Sequence, residues 1–153
     1  MLGRFLRKPR ADRWLLVSAA VLHAFVAIGI RVLPFGWVRR ALDHAATFGP
    51  PTRVEDDVVD DHEVRVVRAV RTTASTLPGA TCLTEALVAR YLLMRCGSET
   101  TLCFGVSRVQ PADRPFDAHA WIERAGKGVI GVGAIVYEPL RPPRTCLPSQ
   151  SPS

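Results

Sequence analysis

A chain of 153 residues with 48% hydrophobic and 22% charged residues is long enough for one domain with a real core, and too apolar to stay disordered. Its formal net charge of +6 gathers at the N-terminal end, where Arg4, Arg7, Lys8, Arg10, Arg13, Arg31, Arg39 and Arg40 face one acid, Asp12. That balance suits an anionic lipid surface and equally suits plain solubility, while the lack of any nucleic-acid motif beside it argues against RNA or DNA.

Trp14 to Ile30 is an apolar run broken by Ser18, His23 and Gly29 and closed by Arg31 and Pro34. A membrane span usually needs about 20 residues and rejects a histidine at mid-depth, so the run is somewhat short and His23 is out of place in lipid. It also lacks a small-x-small cleavage site and does not read as a signal peptide. The expectation is a hydrophobic helix docked on the core or on a partner, touching a membrane surface, in a cytoplasmic protein, with a true span as the lesser alternative. Trp14, Phe35 and Trp37 suit either core packing or interfacial anchoring. Thr47-Phe48-Gly49-Pro50-Pro51 ends this segment, which spans 1–50.

The acids Glu55, Asp56, Asp57, Asp60, Asp61 and Glu63 follow without the ligand spacing of a calcium loop, and read as the solvated start of a helix. His62 among them is expected to be exposed and inert. Beyond it Val59, Val66, Val67 and Val70 turn inward, Arg65, Arg68 and Arg71 turn outward, and Asp61 and Arg65 form an i,i+4 pair. Pro78-Gly79 then breaks the chain. Thr81 caps a helix from Cys82 that Gly97 terminates, and its residues are apolar nearly all round, as in a helix buried at a domain centre.

Thr101 to Ser107 alternates with Leu102, Phe104 and Val106 on one face, and the polar stretch Arg108 to Pro115 leads into a second strand. Within that strand His119, Trp121 and Glu123 share one face, and Ala118, Ala120 and Ile122 the other. Ala125-Gly126-Lys127-Gly128 turns the chain into a hairpin partner, Val129 to Val132. The core order is helix, strand, strand, strand, which makes 51–140 an α+β unit with a central helix on a small antiparallel sheet. Residues 141–153, rich in Pro and Ser, have little to bury and are expected to be disordered.

Cys82, Cys96, Cys103 and Cys146 contain no C-x-x-C pair, so zinc is not expected, and no other metal or cofactor is implied. Cys96 and Cys103 read as small core residues. Cys82 differs because a helix start presents unsatisfied N–H groups that favour thiolate, and His119 is the candidate base.

Cys82-Leu83-Thr84-Glu85-Ala86-Leu87, Leu92 to Gly97, Thr101 to Val106 and Ala118-His119-Ala120-Trp121-Ile122-Glu123 together resemble the transglutaminase-like leader peptidases of lasso-peptide biosynthesis, the peptidase half of the split B protein. The match runs from about Leu77 to Leu140. The resemblance implies a papain-like or transglutaminase-like core in which Cys82 and His119 remove the leader from a ribosomally made precursor. It also implies three partners: the precursor peptide, a separate leader-recognition protein and a cyclase that closes the ring. Two other readings use the same fold: a non-catalytic membrane-associated scaffold, and an acyltransferase of transglutaminase type. Proteases of this superfamily usually place an Asp about a dozen residues after the histidine to fix its tautomer. Here that position falls near Gly131, and the nearby carboxylates Asp117 and Glu123 share the histidine's strand face and project in parallel with it. The expectation is a Cys82–His119 dyad whose imidazole is oriented by a backbone carbonyl or a water, with Asp117 in an auxiliary role.

Overall fold

A computed structural model of the chain describes residues 10–48, 56–107, 118–131 and 137–139. Within them helices α1 (Arg10–Val32), α2 (Phe35–Thr47), α3 (Asp56–Ala74) and α4 (Cys82–Met94) precede strands β1 (Thr101–Ser107), β2 (Ala118–Arg124), β3 (Lys127–Ile130) and β4 (Tyr137–Pro139). The strands form one antiparallel sheet in the order β3-β2-β1-β4. The fold is therefore α+β, with the helices run together ahead of the sheet. The expected disordered tail lies outside the described residues.

Helix α4 is the centre of the packing because it offers no polar side to solvent. Thr84, Ala86, Leu87, Val88, Ala89, Leu92 and Leu93 are all buried, and α1, α2, α3 and β2 each pack on it. Its start is held by a capping box. The Thr81 hydroxyl accepts from the Thr84 N–H at 3.3 Å, and the Thr84 hydroxyl accepts from the Thr81 N–H at 2.8 Å. Such a cap stabilises a helix by about 1 kcal/mol. Its end is closed by the Ser98 N–H donating to the Leu93 carbonyl at 3.1 Å, which requires Gly97 at φ +80°, a conformation that glycine adopts without strain.

One face of α1 completes the same core. Leu16, Ala19 and Val26 cluster with Val66, Ala69 and Val70 of α3 and with the buried residues of α4. His23, awkward for a span, points into this packing: its Nδ1 lies 3.1 Å from Thr73 Oγ1 and 3.0 Å from the Ala19 carbonyl. The histidine thus faces another helix. Ion pairs fix the helices in order, Asp12 to Arg65 at 2.6 Å and Asp43 to Arg90 at 3.1 Å. Arg65 therefore reaches across to α1 rather than to Asp61 on its own helix, the pairing expected from spacing.

On the sheet, Leu102 pairs with Ile122 and Phe104 with Ala120, and these residues face α4 as the alternation predicts. Two details differ. The β2–β3 turn is only Ala125-Gly126, at φ 49° and 75°. Two consecutive left-handed residues match the twist of a tight hairpin, so β3 begins at Lys127, ahead of the expected Val129. Strand β4, which pairs Ser107 with Tyr137 and Gly105 with Pro139, was not anticipated. Three residues ending in proline carry no periodicity, and proline is tolerated only at an edge of this kind.

Deleting residues through Val38 removes the cover over Val66 and Val70, which are fully buried. The truncated protein is expected to aggregate on size-exclusion chromatography. A monomeric, cooperatively folding truncation would show that α1 is not part of the core.

Candidate active site

Cys82 is the first residue of α4 and is half-buried against the core. A helix leaves its first N–H groups without intrahelical partners. Here the capping box occupies those of Thr81 and Thr84, and the Glu85 N–H already bonds to the Thr81 carbonyl at 3.0 Å. The amides the cap does not engage are those of Cys82 and Leu83, adjacent donors at the positive end of the helix dipole. Among the described residues a thiol thus sits at the positive end of the helix, beside two backbone donors that the cap leaves unengaged.

His119 is the second residue of β2, half-buried, with its Nε2 hydrogen-bonded to the Gly131 carbonyl just after β3. A carbonyl only accepts, so Nε2 carries a proton and donates it to Gly131. Gly131 has φ +80°, and a Cβ built there would lie 2.8 Å from the Ala120 carbonyl and 3.0 Å from Trp121 Cβ. No side chain fits at that position. The usual acid is absent there because the chain offers main-chain oxygen instead. The ring is further packed by Trp121, centroids 6.4 Å apart and planes 16° from parallel, while the Trp121 indole donates to Glu123 at 2.8 Å. Asp117, the auxiliary carboxylate of the sequence reading, lies outside the described residues.

Contacts at both ends of the domain place Cys82 and His119 at the same end. Arg90 and Met94 of α4 line one cavity with Arg124 and Ala125, so the C-terminal ends of α4 and β2 meet. The rise from Cys82 to Met94, about 18 Å at 1.5 Å per residue, is close to that from His119 to Arg124, about 17 Å along a strand. At the opposite end Arg31 lies against Gly79, just before α4, and Phe35 meets Phe104 edge-on at 5.8 Å; Phe104 pairs with Ala120, next to His119. Among the described residues the hydrogen bond of the imidazole goes to Gly131, and none joins it to Cys82.

Sequence reasoning missed a second thiol–imidazole pair. Cys96 Sγ lies 2.8 Å from His62 Nε2, in a cavity of about 600 Å³ lined by Trp14, Leu15, Leu22, Tyr91 and Arg95 among others. His62, expected to be exposed and inert, is half-buried. No spacing signal links two residues thirty-four positions apart; only the antiparallel packing of α3 on α4 joins them. Burial and the Arg65 guanidinium hold His62 below its ordinary value of 6.5, against an opposing effect of Asp61. Burial pushes the Cys96 thiol above 9.0, partly offset by Arg95. The pair is therefore neutral thiol and neutral imidazole, at the negative end of the helix whose positive end carries Cys82. One helix presents two cysteines to opposite electrostatic environments.

A family model for the transglutaminase-like superfamily matches residues 24–142, and the chain belongs to that superfamily. It includes cysteine peptidases and acyltransferases and is typically enzymatic. Comparison with curated proteins finds no significant match, nor does comparison with solved structures. Among the described residues no group of three or more His, Cys, Asp or Glu is placed to hold a metal ion.

The Cys96–His62 pair has a defined pH window. The lowered His62 value gives stability present above 6.5 and lost as pH falls from there through the lowered folded value; the raised Cys96 value gives stability present below 9.0 and lost as pH rises from there through the raised folded value. Thermal unfolding of the protein and of His62→Asn should therefore differ most near neutral pH, and the difference should shrink as pH drops below the ordinary histidine value. A difference that grows on acidification would mean that His62 is charged in the folded state.

Proposed function

We propose that the protein is a cysteine peptidase that removes the leader from a ribosomally synthesised precursor during lasso-peptide maturation. Membership of the transglutaminase-like superfamily supports the chemistry; the resemblance of the Cys82 and His119 segments to lasso leader peptidases supports the substrate. The observation that supports the mechanism is a helix-start thiol, next to two amides the cap leaves unengaged, in the same domain as an imidazole whose Nε2 is hydrogen-bonded to the Gly131 carbonyl; their pairing is the step this reading adds.

In this mechanism His119 Nδ1 takes the Cys82 proton as substrate closes the pair, in keeping with catalytic hydrogen bonds that tighten only in the Michaelis complex. The thiolate attacks the carbonyl at the leader junction, and the developing oxyanion is met by the N–H groups of Cys82 and Leu83. The imidazolium then donates its proton to the leaving amine, giving a thioester of the leader and the free core peptide. His119 next takes a proton from water, which hydrolyses the thioester and restores the thiol. The Gly131 carbonyl keeps the working tautomer throughout, the role a carboxylate plays in a triad. The partners that complete the pathway in this reading are a separate leader-recognition protein and the cyclase.

Cys82→Ala and His119→Ala should each abolish leader removal in protein that remains folded, and the double variant should be no worse than either single one, because the two act as a unit. Asp117→Asn should keep most activity, far from the roughly 10⁴-fold loss that follows replacement of a triad acid. The readout is the mass of the products from a leader-bearing peptide. Cleavage by folded Cys82→Ala protein would end this reading; joining of the leader to an added amine in place of hydrolysis would assign the chain to acyl transfer.

A further inference from the structure

The side of α1 turned away from the core is as apolar as the side within it. Trp14, Val17, Val21, Phe25, Ile28 and Val32 are all exposed, Trp14 at 72%, Phe25 at 70% and Val32 at 74%. At 3.6 residues per turn these six fall within an arc of about 80°, opposite Leu16, Ala19, His23 and Val26, and run along about 27 Å of helix. The exposure continues through Leu33 and Phe35 at the turn to Trp37, at 70%, and to Phe48 at the end of α2. A contiguous face of this size is covered by something in a working protein.

Charge selects the cover. The acids of α1 and α2 are Asp12 and Asp43, and both are spent in ion pairs within the fold, with Arg65 and Arg90. Arg13, Arg31, Arg39 and Arg40 carry no ion pair among the described residues. Arg13 flanks the stripe at its N-terminal end and Arg39 and Arg40 follow its other end on α2, while the Arg31 guanidinium lies against Gly79. The surface thus combines aromatic and aliphatic groups with unneutralised guanidinium groups, the composition of a helix lying in a bilayer interface and meeting anionic headgroups.

Helix α1 is long and apolar enough to cross a membrane, over Ala11–Val32, but its packing on the domain argues against crossing. It is tied to the domain along its whole length, by Asp12 to Arg65 at one end, His23 beside Thr73 in the middle and Arg31 against Gly79 at the other. A span would drag α3 and α4 into hydrocarbon with it. We propose that α1 and α2 dock the protein flat on an anionic bilayer, with the Trp14–Phe25–Val32 face in the headgroup layer. This surface is independent of the reaction assigned to Cys82.

The test is co-sedimentation of the full-length protein with vesicles of phosphatidylcholine alone or with about a third phosphatidylglycerol, beside the Phe25→Glu/Ile28→Glu variant. Both substituted side chains point to solvent, at 70% and 60% exposure, so the variant should match the parent in circular dichroism and thermal unfolding. Each arginine near an anionic surface raises partitioning about fivefold. Binding should therefore favour the anionic vesicles by tenfold or more, release in molar salt, and fall at least tenfold in the variant. Equal, salt-resistant binding to both vesicle types would mean insertion as a span and overturn the proposal. So would absence of vesicle binding, whether or not the variant converts a dimer of the parent to monomer on size exclusion; that conversion would give the face to a second copy of the chain.

Discussion

Everything in this molecule is arranged around the burial of α4. A helix with apolar side chains on all sides cannot be stable at a surface, and each fully buried Leu or Val contributes about 1.5–3 kcal/mol only if something covers it. Helices α1, α2 and α3 and strand β2 supply that cover. The consequence for chemistry is positional: a helix fixed on every side holds its N-terminal turn still, and with it the thiol of Cys82 and the two amides that the capping box leaves unengaged. Preorganised donors of this kind need no rearrangement when charge develops beside them.

The sheet performs the matching task for His119. Pairing of β2 with β3 brings the Gly131 carbonyl to the ring, and the bulge between Ile122 and Glu123 together with the tight Ala125-Gly126 turn sets where β3 ends. A carboxylate at Gly131 would require a Cβ inside the van der Waals shell of the Ala120 carbonyl. The backbone itself therefore orients the imidazole, at a position where a side chain has no room. The contrast with Cys96 sharpens the assignment. That thiol lies within hydrogen-bond distance of a histidine, yet its surroundings keep it protonated and its partner neutral, so proximity to an imidazole alone does not make a nucleophile.

Much of this was legible in the sequence because it depends on local rules. Thr81 and Gly97 mark the ends of α4 by capping chemistry, the alternation in Ala118–Glu123 sorts its two faces, and the absence of an acid near Gly131 already pointed to a backbone or water partner for His119. What was not legible depends on contacts between distant residues. The Cys96–His62 pair exists because α3 lies antiparallel to α4. His23 is tolerated in an apolar run because Thr73, fifty residues away, faces it. Strand β4 is too short to show a period. The N-terminal helix was ambiguous for a related reason: its composition is that of a span, and only the packing of Leu16, Ala19, His23 and Val26 shows that one face belongs to the domain.

The central claim is that Cys82, and no other thiol of this chain, carries the acyl group. It is tested most directly by quenching the protein in acid during turnover of a leader-bearing precursor peptide and mapping the adduct by mass spectrometry. The account predicts a hydroxylamine-sensitive thioester on Cys82, of the mass of the leader acyl group. The same adduct on Cys96, Cys103 or Cys146 would contradict it.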